Sequence, residues 1–154
     1  VVEEIYSDDI VVVTPADFPI KKRTVHPTEL NPAEELLIGS KTNPHVGWGA
    51  LFNAWHAEWF DEDLEPLLTT NTISAVSYFL KSASFWTLMP RTTANGFSKE
   101  MPLKIYDLEI PAPKRTAYML TNKNQSDYMT KVIDLFRKEL FSYTKNYLPN
   151  ENKR

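Results

Sequence analysis

Short apolar runs alternate with longer amphipathic stretches along the chain. The continuous β-branched run from Ile10 to Thr14 is typical of a strand buried on both faces, and Pro15 ends it. Further runs predict short strands at residues 36–40, 64–70, 85–89, 103–108 and 115–121. Residues 91–113 hold an Asn-Gly pair and several prolines with little periodicity, so we predict a loop-rich segment around the strand at 103–108.

Apolar residues at helical spacing predict a helix that begins near residue 43. Asn43 is a preferred N-cap residue, and Pro44 suits the first helical position. The predicted inward-facing stripe contains Trp48, Leu51, Phe52, Trp55 and Trp59.

Two further helices are predicted downstream. The first is capped by Asn71 or Thr72, with Ile73, Val76, Phe79 and Leu80 facing inward. The second is long and begins after Ser126, with Asp127 favourably placed at its positive end. Its stripe contains Met129, Val132, Phe136, Leu140, Tyr143 and Tyr147, while Leu135 and Phe141 lie off that stripe. We therefore expect this helix to need partners on more than one side.

The alternation of strands and helices predicts an α/β fold with a mixed, mostly parallel sheet flanked by helices. The chain has 154 residues, with 42% hydrophobic and 24% charged residues, which is ordinary for a packed globular domain. Its net charge of −3 gives no broad attraction for phosphate backbones, so we expect no nucleic-acid-binding surface within these residues. No apolar run approaches the roughly 18 residues that a membrane span needs.

No constellation of residues predicts catalysis, a metal site or a cofactor. Cysteine is absent, and His26, His45 and His56 lack the spacing of a helical zinc site. We interpret His56, near Glu58, as a partly exposed helix residue. The chain has only 4 glycines and neither a nucleophile elbow nor a phosphate-binding loop. A small enzyme is therefore the least favoured class of function.

Two polar turns are the candidate binding site. Each joins the carboxyl end of a predicted strand to the start of a predicted helix, where open α/β sheets bind ligands and free N–H groups suit anions. The predicted site residues are Ser40, Lys41, Thr42, Asn43, Asn71 and Thr72. They indicate a small polar or anionic ligand. The alternative is that these residues are ordinary helix caps and that Lys41 is simply solvated.

The order of these segments resembles that of the effector-binding domain of LysR-type transcriptional regulators. The segments that carry the resemblance are Ile5–Ile20, Val25–Leu30, Leu36–Ile38, Ser74–Pro90, Arg115–Thr121 and Ser126–Tyr147. Within Ser74–Pro90, the run SASFWTLMP has the shape of the family's helix-to-strand unit that ends in proline. The chain departs from the family at Ser82 and Ser84, where glycine is usual, so the turn into that strand is expected to differ.

The resemblance implies a periplasmic-binding-protein-like (type II) second subdomain plus the C-terminal helix of the first subdomain. Residues 1–9 are then the crossover from the first subdomain, residues 10–122 the second subdomain, and residues 123–154 the returning helix and tail. It also implies that the earlier part of the first subdomain and an N-terminal winged helix-turn-helix are missing from this chain.

The function implied by the resemblance is effector sensing in a cytoplasmic bacterial transcriptional regulator. A small molecule would bind in the cleft between subdomains and alter the arrangement of an oligomer on DNA. The implied partners are a polar or anionic effector and further copies of the protein in a homodimer or tetramer. DNA would be contacted only through the absent N-terminal domain, and no membrane is involved. The alternative is a solute-binding protein of a transport system, which shares the fold type.

Overall fold

The computed structural model describes residues 1–39, 48–60, 65–81 and 84–147, with side chains as far as residue 143. The strands are β1 (Val2–Asp8), β2 (Ile10–Pro15), β3 (Thr24–Val25), β4 (Leu36–Ile38), β5 (Leu68–Thr70), β6 (Thr87–Pro90), β7 (Leu103–Leu108) and β8 (Arg115–Leu120). The helices are α1 (Ala50–Trp59), α2 (Ile73–Phe79), α3 (Arg91–Ser98) and α4 (Asp127–Tyr147). Short 3-10 turns occupy Pro27–Glu29 and Pro32–Glu34.

The main sheet has the strand order β3-β7-β2-β6, and β4 pairs with β5 beside it. A bridge between Glu35 and Trp86 runs parallel and joins the β4 edge to β6. The sheet is mixed, as predicted. Pairing is parallel for β3 with β7 and for β4 with β5, but β2 is antiparallel to both β6 and β7. The β-branched run in β2 indicates burial on both faces and carries no information on the direction of its neighbours.

Strand β2 separates two hydrophobic clusters, because alternate residues of a strand point to opposite faces. Ile10 and Val12 belong to one cluster, and Val11 and Val13 to the other. Helix α1 covers the first cluster with Phe52 and Trp55, whereas α2 and α3 contribute Val76 and Ala94 to the second. The prediction that this strand is buried on both faces is confirmed.

One residue predicted to face inward on α1 and one on α2 are exposed. Leu51 is 76% exposed, since the buried positions of α1 are Phe52, Trp55 and His56, and Leu51 lies on the flank of that face. Phe79 is exposed at the last position of α2, where the inward side is completed by Leu80 just beyond the helix. In both cases the apolar spacing identified the helix but not the centre of its buried face.

Helix α1 begins at Ala50, after Gly49 with φ of +101°. Such a positive φ favours glycine, so the chain turns there before it becomes helical. The predicted start at Asn43 and Pro44 lies outside the described residues. Trp48 precedes the helix instead of lying within it, yet it packs against both hydrophobic clusters.

Helix α3 was not predicted, since Arg91–Ser98 belongs to the segment interpreted as loop-rich. Asn95 and Gly96 lie inside this helix and do not form a turn. Buried Ala94 and partly buried Phe97 hold the helix against the second cluster. Tertiary packing of these two side chains overrides the local turn preference of the Asn-Gly pair.

The described chain forms two compact units, Asp9–Arg115 and a smaller one that contains Val1–Asp8 and the segment from Thr116 onward. In the smaller unit β1 pairs with β8, and the Val1 amino group donates to the Thr121 carbonyl at 2.7 Å. Arg137 on α4 donates to both carboxylate oxygens of Glu3, which holds α4 against β1.

The start of α4 agrees with the prediction, because Ser126 Oγ accepts from the Met129 amide at 3.3 Å. Much of its apolar surface is exposed: Tyr128, Leu135 and Phe136 are each more than half exposed, and Phe141 is exposed as well. The helix therefore presents apolar groups on more than one side, as its sequence predicts.

Candidate functional site

The two predicted polar turns follow adjacent parallel strands. Strand β4 pairs with β5 so that Ile38 lies opposite Thr70, and the Gly39 amide donates to the Thr70 carbonyl at 2.9 Å. Because both strands run in the same direction, both carboxyl ends lie at one edge of the sheet. Asn71 and Thr72 are exposed at that edge. Ser40, Lys41, Thr42 and Asn43 lie outside the described residues, directly after Gly39.

The turn from β5 into α2 is tied together by short polar contacts. The Thr72 amide donates to Thr70 Oγ1 at 3.1 Å, and the Thr72 hydroxyl donates to Asn71 Oδ1 at 3.0 Å. Thr72 occupies the N-cap position of α2, as predicted, but its side chain makes no capping bond to the helix. The polar groups of this turn are therefore arranged by one another and not by helix capping.

Strand β6 adds a third carboxyl end to the same edge. The parallel bridge at Glu35 and Trp86 sets its direction, and the Leu36 amide donates to the Trp86 carbonyl at 2.8 Å. The buried Thr87 hydroxyl donates to the Leu36 carbonyl at 2.8 Å. Three strands, β5, β4 and β6, thus end side by side, which is where open α/β folds bind ligands.

A tryptophan and an arginine lie beside the β6 strand. Trp48 donates its indole N–H to the Leu88 carbonyl at 3.0 Å. The Arg115 guanidinium carbon lies 5.5 Å from the centre of the Trp48 ring, a cation–π arrangement. Sequence reasoning interpreted Trp48 as part of a core stripe and Arg115 as the start of a strand. No local signal connects residues that are this far apart in the chain.

Behind these strands, Glu35 and His56 form a buried pair. His56 Nε2 lies 2.7 Å from Glu35 Oε1, and the two side chains are only 11% and 3% exposed. The imidazole also packs against the rings of Phe60 at 4.7 Å and Phe52 at 5.8 Å. The interpretation of His56 as partly exposed is wrong, because its carboxylate partner precedes β4 and was not part of the local pattern.

The other candidate chemistry is not assembled within the described residues. No group of three or more metal-binding side chains is found there. His26 contacts the Thr28 hydroxyl at 2.8 Å within a capping turn, and His45 lies outside the described ranges. In the same part of the chain, none of the helices is both long and apolar enough to cross a membrane.

Comparison with known proteins identifies a matching family and solved structures of similar fold. Residues 1–141 match the family described as the LysR substrate binding domain. A search of curated proteins finds no match. Among solved structures, the chain is similar to a probable transcriptional regulator from Pseudomonas aeruginosa, with 17% identity and a TM-score of 0.64 over 87% of this chain and 43% of that one.

Two other solved structures share the fold. A full-length OxyR variant from Pseudomonas aeruginosa is 17% identical, with a TM-score of 0.65 over 91% of this chain and 47% of that one. The CcmR regulatory domain of Synechocystis PCC6803, solved in complex with 2-PG, is 20% identical, with a TM-score of 0.64 over 97% of this chain and 69% of that one. The chain thus spans less than half the length of the two Pseudomonas proteins.

Proposed function

Because the chain belongs to the LysR substrate binding domain family, we propose that it senses a small-molecule effector for a LysR-type transcriptional regulator. The effector is a small polar or anionic metabolite. Its site contains the turn at Ser40–Asn43 and the turn at Asn71–Thr72.

The observation that carries this proposal is the parallel pairing of β4 with β5. It brings two segments that are distant in the sequence to one edge of the sheet, where the Gly39 amide donates to the Thr70 carbonyl. In the sequence, Ser40–Asn43 follows β4 and contains hydroxyl, amide and lysine groups, while β5 is followed by Asn71 and Thr72. Such groups suit a ligand that carries a carboxylate or another polar oxygen.

The similarity to CcmR supports a small-molecule ligand, since that regulatory domain was solved in complex with 2-PG. At 20% identity the likeness shows the fold alone, so the site and the effector rest on this chain's own residues.

The proposal includes the organisation that the family resemblance implies. Residues 1–9 are the crossover, residues 10–122 the second subdomain, and residues 123–154 the returning helix and tail. The proposed boundary after residue 9 adjoins the boundary between the two compact units after Asp8. The proposed boundary after residue 122 lies a few residues beyond the unit boundary after Arg115. The effector occupies an inter-subdomain cleft in a cytoplasmic homodimer or tetramer, and its binding changes the arrangement of that oligomer on DNA.

A ligand panel tests the proposal on the 154-residue chain. Small carboxylates, phosphates and their uncharged analogues are screened for an increase in the melting temperature, because a ligand that binds only the folded state stabilises it. We expect at least one anionic compound to raise the melting temperature in a concentration-dependent way, with its uncharged analogue inactive. If neither the anionic compounds nor their uncharged polar analogues do so, the proposed ligand class is wrong; equal effects of a compound and its uncharged analogue would show that the effector is polar and not anionic.

A further inference from the structure

We propose that Arg115, stacked on Trp48, is the cationic group that binds the carboxylate or phosphate of the effector. The inference deepens the proposed function and rests on it. Arg115, which lies outside both predicted turns, would then bind the negatively charged group of the ligand.

The first step is that the Trp48 indole, on which the Arg115 guanidinium lies, is held in a fixed position. The Trp48 indole is fixed by its hydrogen bond to the Leu88 carbonyl at 3.0 Å, and the ring packs against both hydrophobic clusters. The guanidinium of Arg115 lies 5.5 Å from the ring centre. A guanidinium held over an aromatic ring retains in-plane N–H donors, which match the two oxygens of a carboxylate or phosphate.

The second step is the availability of the charge. The preceding Lys114 is paired with Asp9 at 3.3 Å, Arg91 is paired with Asp107, and Arg137 is paired with Glu3. Within the described ranges, the Arg115 guanidinium has no carboxylate at ion-pair distance and donates no side-chain hydrogen bond. Its contact is the Trp48 ring, which leaves its donors open to a ligand.

The third step is position. Leu88 belongs to β6, whose carboxyl end shares a sheet edge with the carboxyl ends of β4 and β5. Arg115 lies near the carboxyl end of β6, because the neighbouring Lys114 pairs with Asp9, and the Arg91 amide, directly after β6, donates to the Asp9 carbonyl. A ligand with one anionic group and further polar groups would therefore be bound by the stack and by the turn at Thr72.

The indole N–H of Trp48 provides a direct readout. The chain contains 4 tryptophans, so an ¹H–¹⁵N spectrum resolves a small set of indole signals, and Trp48→Phe identifies the one that belongs to Trp48. Inorganic phosphate and malonate are titrated at constant ionic strength. We expect a saturable shift of the Trp48 signal with at least one of these anions.

Three variants separate a binding site from general charge screening. Arg115→Gln should weaken the saturable response by about tenfold or more, the range expected for losing a charge-assisted hydrogen bond. Arg115→Lys should give an intermediate loss, because it keeps the charge but not the planar donors. Arg23→Gln is the matched control: it removes the same charge at another exposed arginine and should leave the response unchanged.

The inference would be overturned if the Trp48 signal does not shift with either anion or shifts without saturating. It would also be overturned if the shift is the same in Arg115→Gln and in the native chain. The test also separates it from the proposed function. If an effector from the ligand panel binds Arg115→Gln with native affinity but binds Thr72→Ala weakly, the inference fails and the proposed function stands. If no effector binds but the Trp48 response depends on Arg115, the anion site stands and the proposed function fails.

Discussion

The contact between Glu35 and His56 holds α1 against the strand that leads into the candidate site. Both side chains are buried, and the distance of 2.7 Å is that of a strong hydrogen bond. Removing one member of a buried hydrogen-bonded pair leaves the other unsatisfied, which commonly costs about 1–3 kcal/mol. We predict that Glu35→Ala lowers the free energy of unfolding by that amount, measured by denaturant titration.

Glu29 provides the matched control for this prediction, because its ion pair with Lys22 at 2.5 Å is exposed. Exposed pairs contribute little to stability. Glu29→Ala should therefore lower the unfolding midpoint much less than Glu35→Ala does. Equal effects of Glu35→Ala and Glu29→Ala would show that the buried pair does not stabilise the fold.

The Lys22–Glu29 pair has its own test in the titration of Glu29. The hydrogen bond from Lys22, aided by the His26 amide, lowers the pKa of Glu29 below its usual value. The contribution to stability is thus present above the usual glutamate pKa and is lost as the pH falls through the lowered value. Lys22→Met should raise the pKa of Glu29 toward the ordinary range, observed by NMR of its side-chain carboxyl carbon. An unchanged pKa would show that the pair does not persist in solution.

At the scale of elements, α4 carries many of the exposed large hydrophobic side chains in the described chain. Tyr128, Leu135 and Phe136 are more than half exposed, and such patches promote association. We predict that the 154-residue chain self-associates with rising concentration and that Leu135→Ser with Phe136→Ser reduces this association. Sedimentation velocity measures both effects.

Glu139→Ser is the control for that measurement, because it changes an exposed polar residue of the same helix. It should leave self-association unchanged. A native chain that stays monomeric over the whole concentration range would contradict the prediction and would show that the exposed groups of α4 do not promote association.

Elements were predictable where the pattern is local. The β-branched run predicted the doubly buried β2, and Ser126 predicted the start of α4, because composition and capping act within a few residues. Helix α3 was missed because it depends on the packing of Ala94 and Phe97. The inward face of α1 was predicted incorrectly because it includes the polar residue His56, whose burial depends on its contact with Glu35.

At the scale of the whole molecule, the order of segments predicted the fold, while only part of the candidate site was accessible from the sequence. Turns that follow strands are local features, so Asn71 and Thr72 were identified. Arg115 and Trp48 meet only after β8 and β6 have been positioned, and no local pattern records that contact. Ser40, Lys41, Thr42 and Asn43 remain predictions.

The charge of the whole chain leads to a prediction about nucleic acid. A net charge of −3 gives no attraction for the phosphate backbone, which supplies most non-specific affinity. We predict no sequence-specific DNA binding by the 154-residue chain at physiological salt. Fluorescence anisotropy with labelled duplexes measures this, and nanomolar specific binding would contradict it.

The central claim is that a small polar or anionic effector binds where β4 and β5 end. Calorimetric titration of an effector from the ligand panel into Thr72→Ala and Thr42→Ala tests it most directly, with Ser77→Ala as control because that hydroxyl donates to the Ser74 carbonyl within α2. We expect each threonine variant to lose about 0.5–1.5 kcal/mol of binding free energy, or up to about 3 kcal/mol where the ligand group is charged. Their melting temperatures without effector and the affinity of Ser77→Ala should remain native. Native affinity in both threonine variants would contradict the account and place the effector elsewhere.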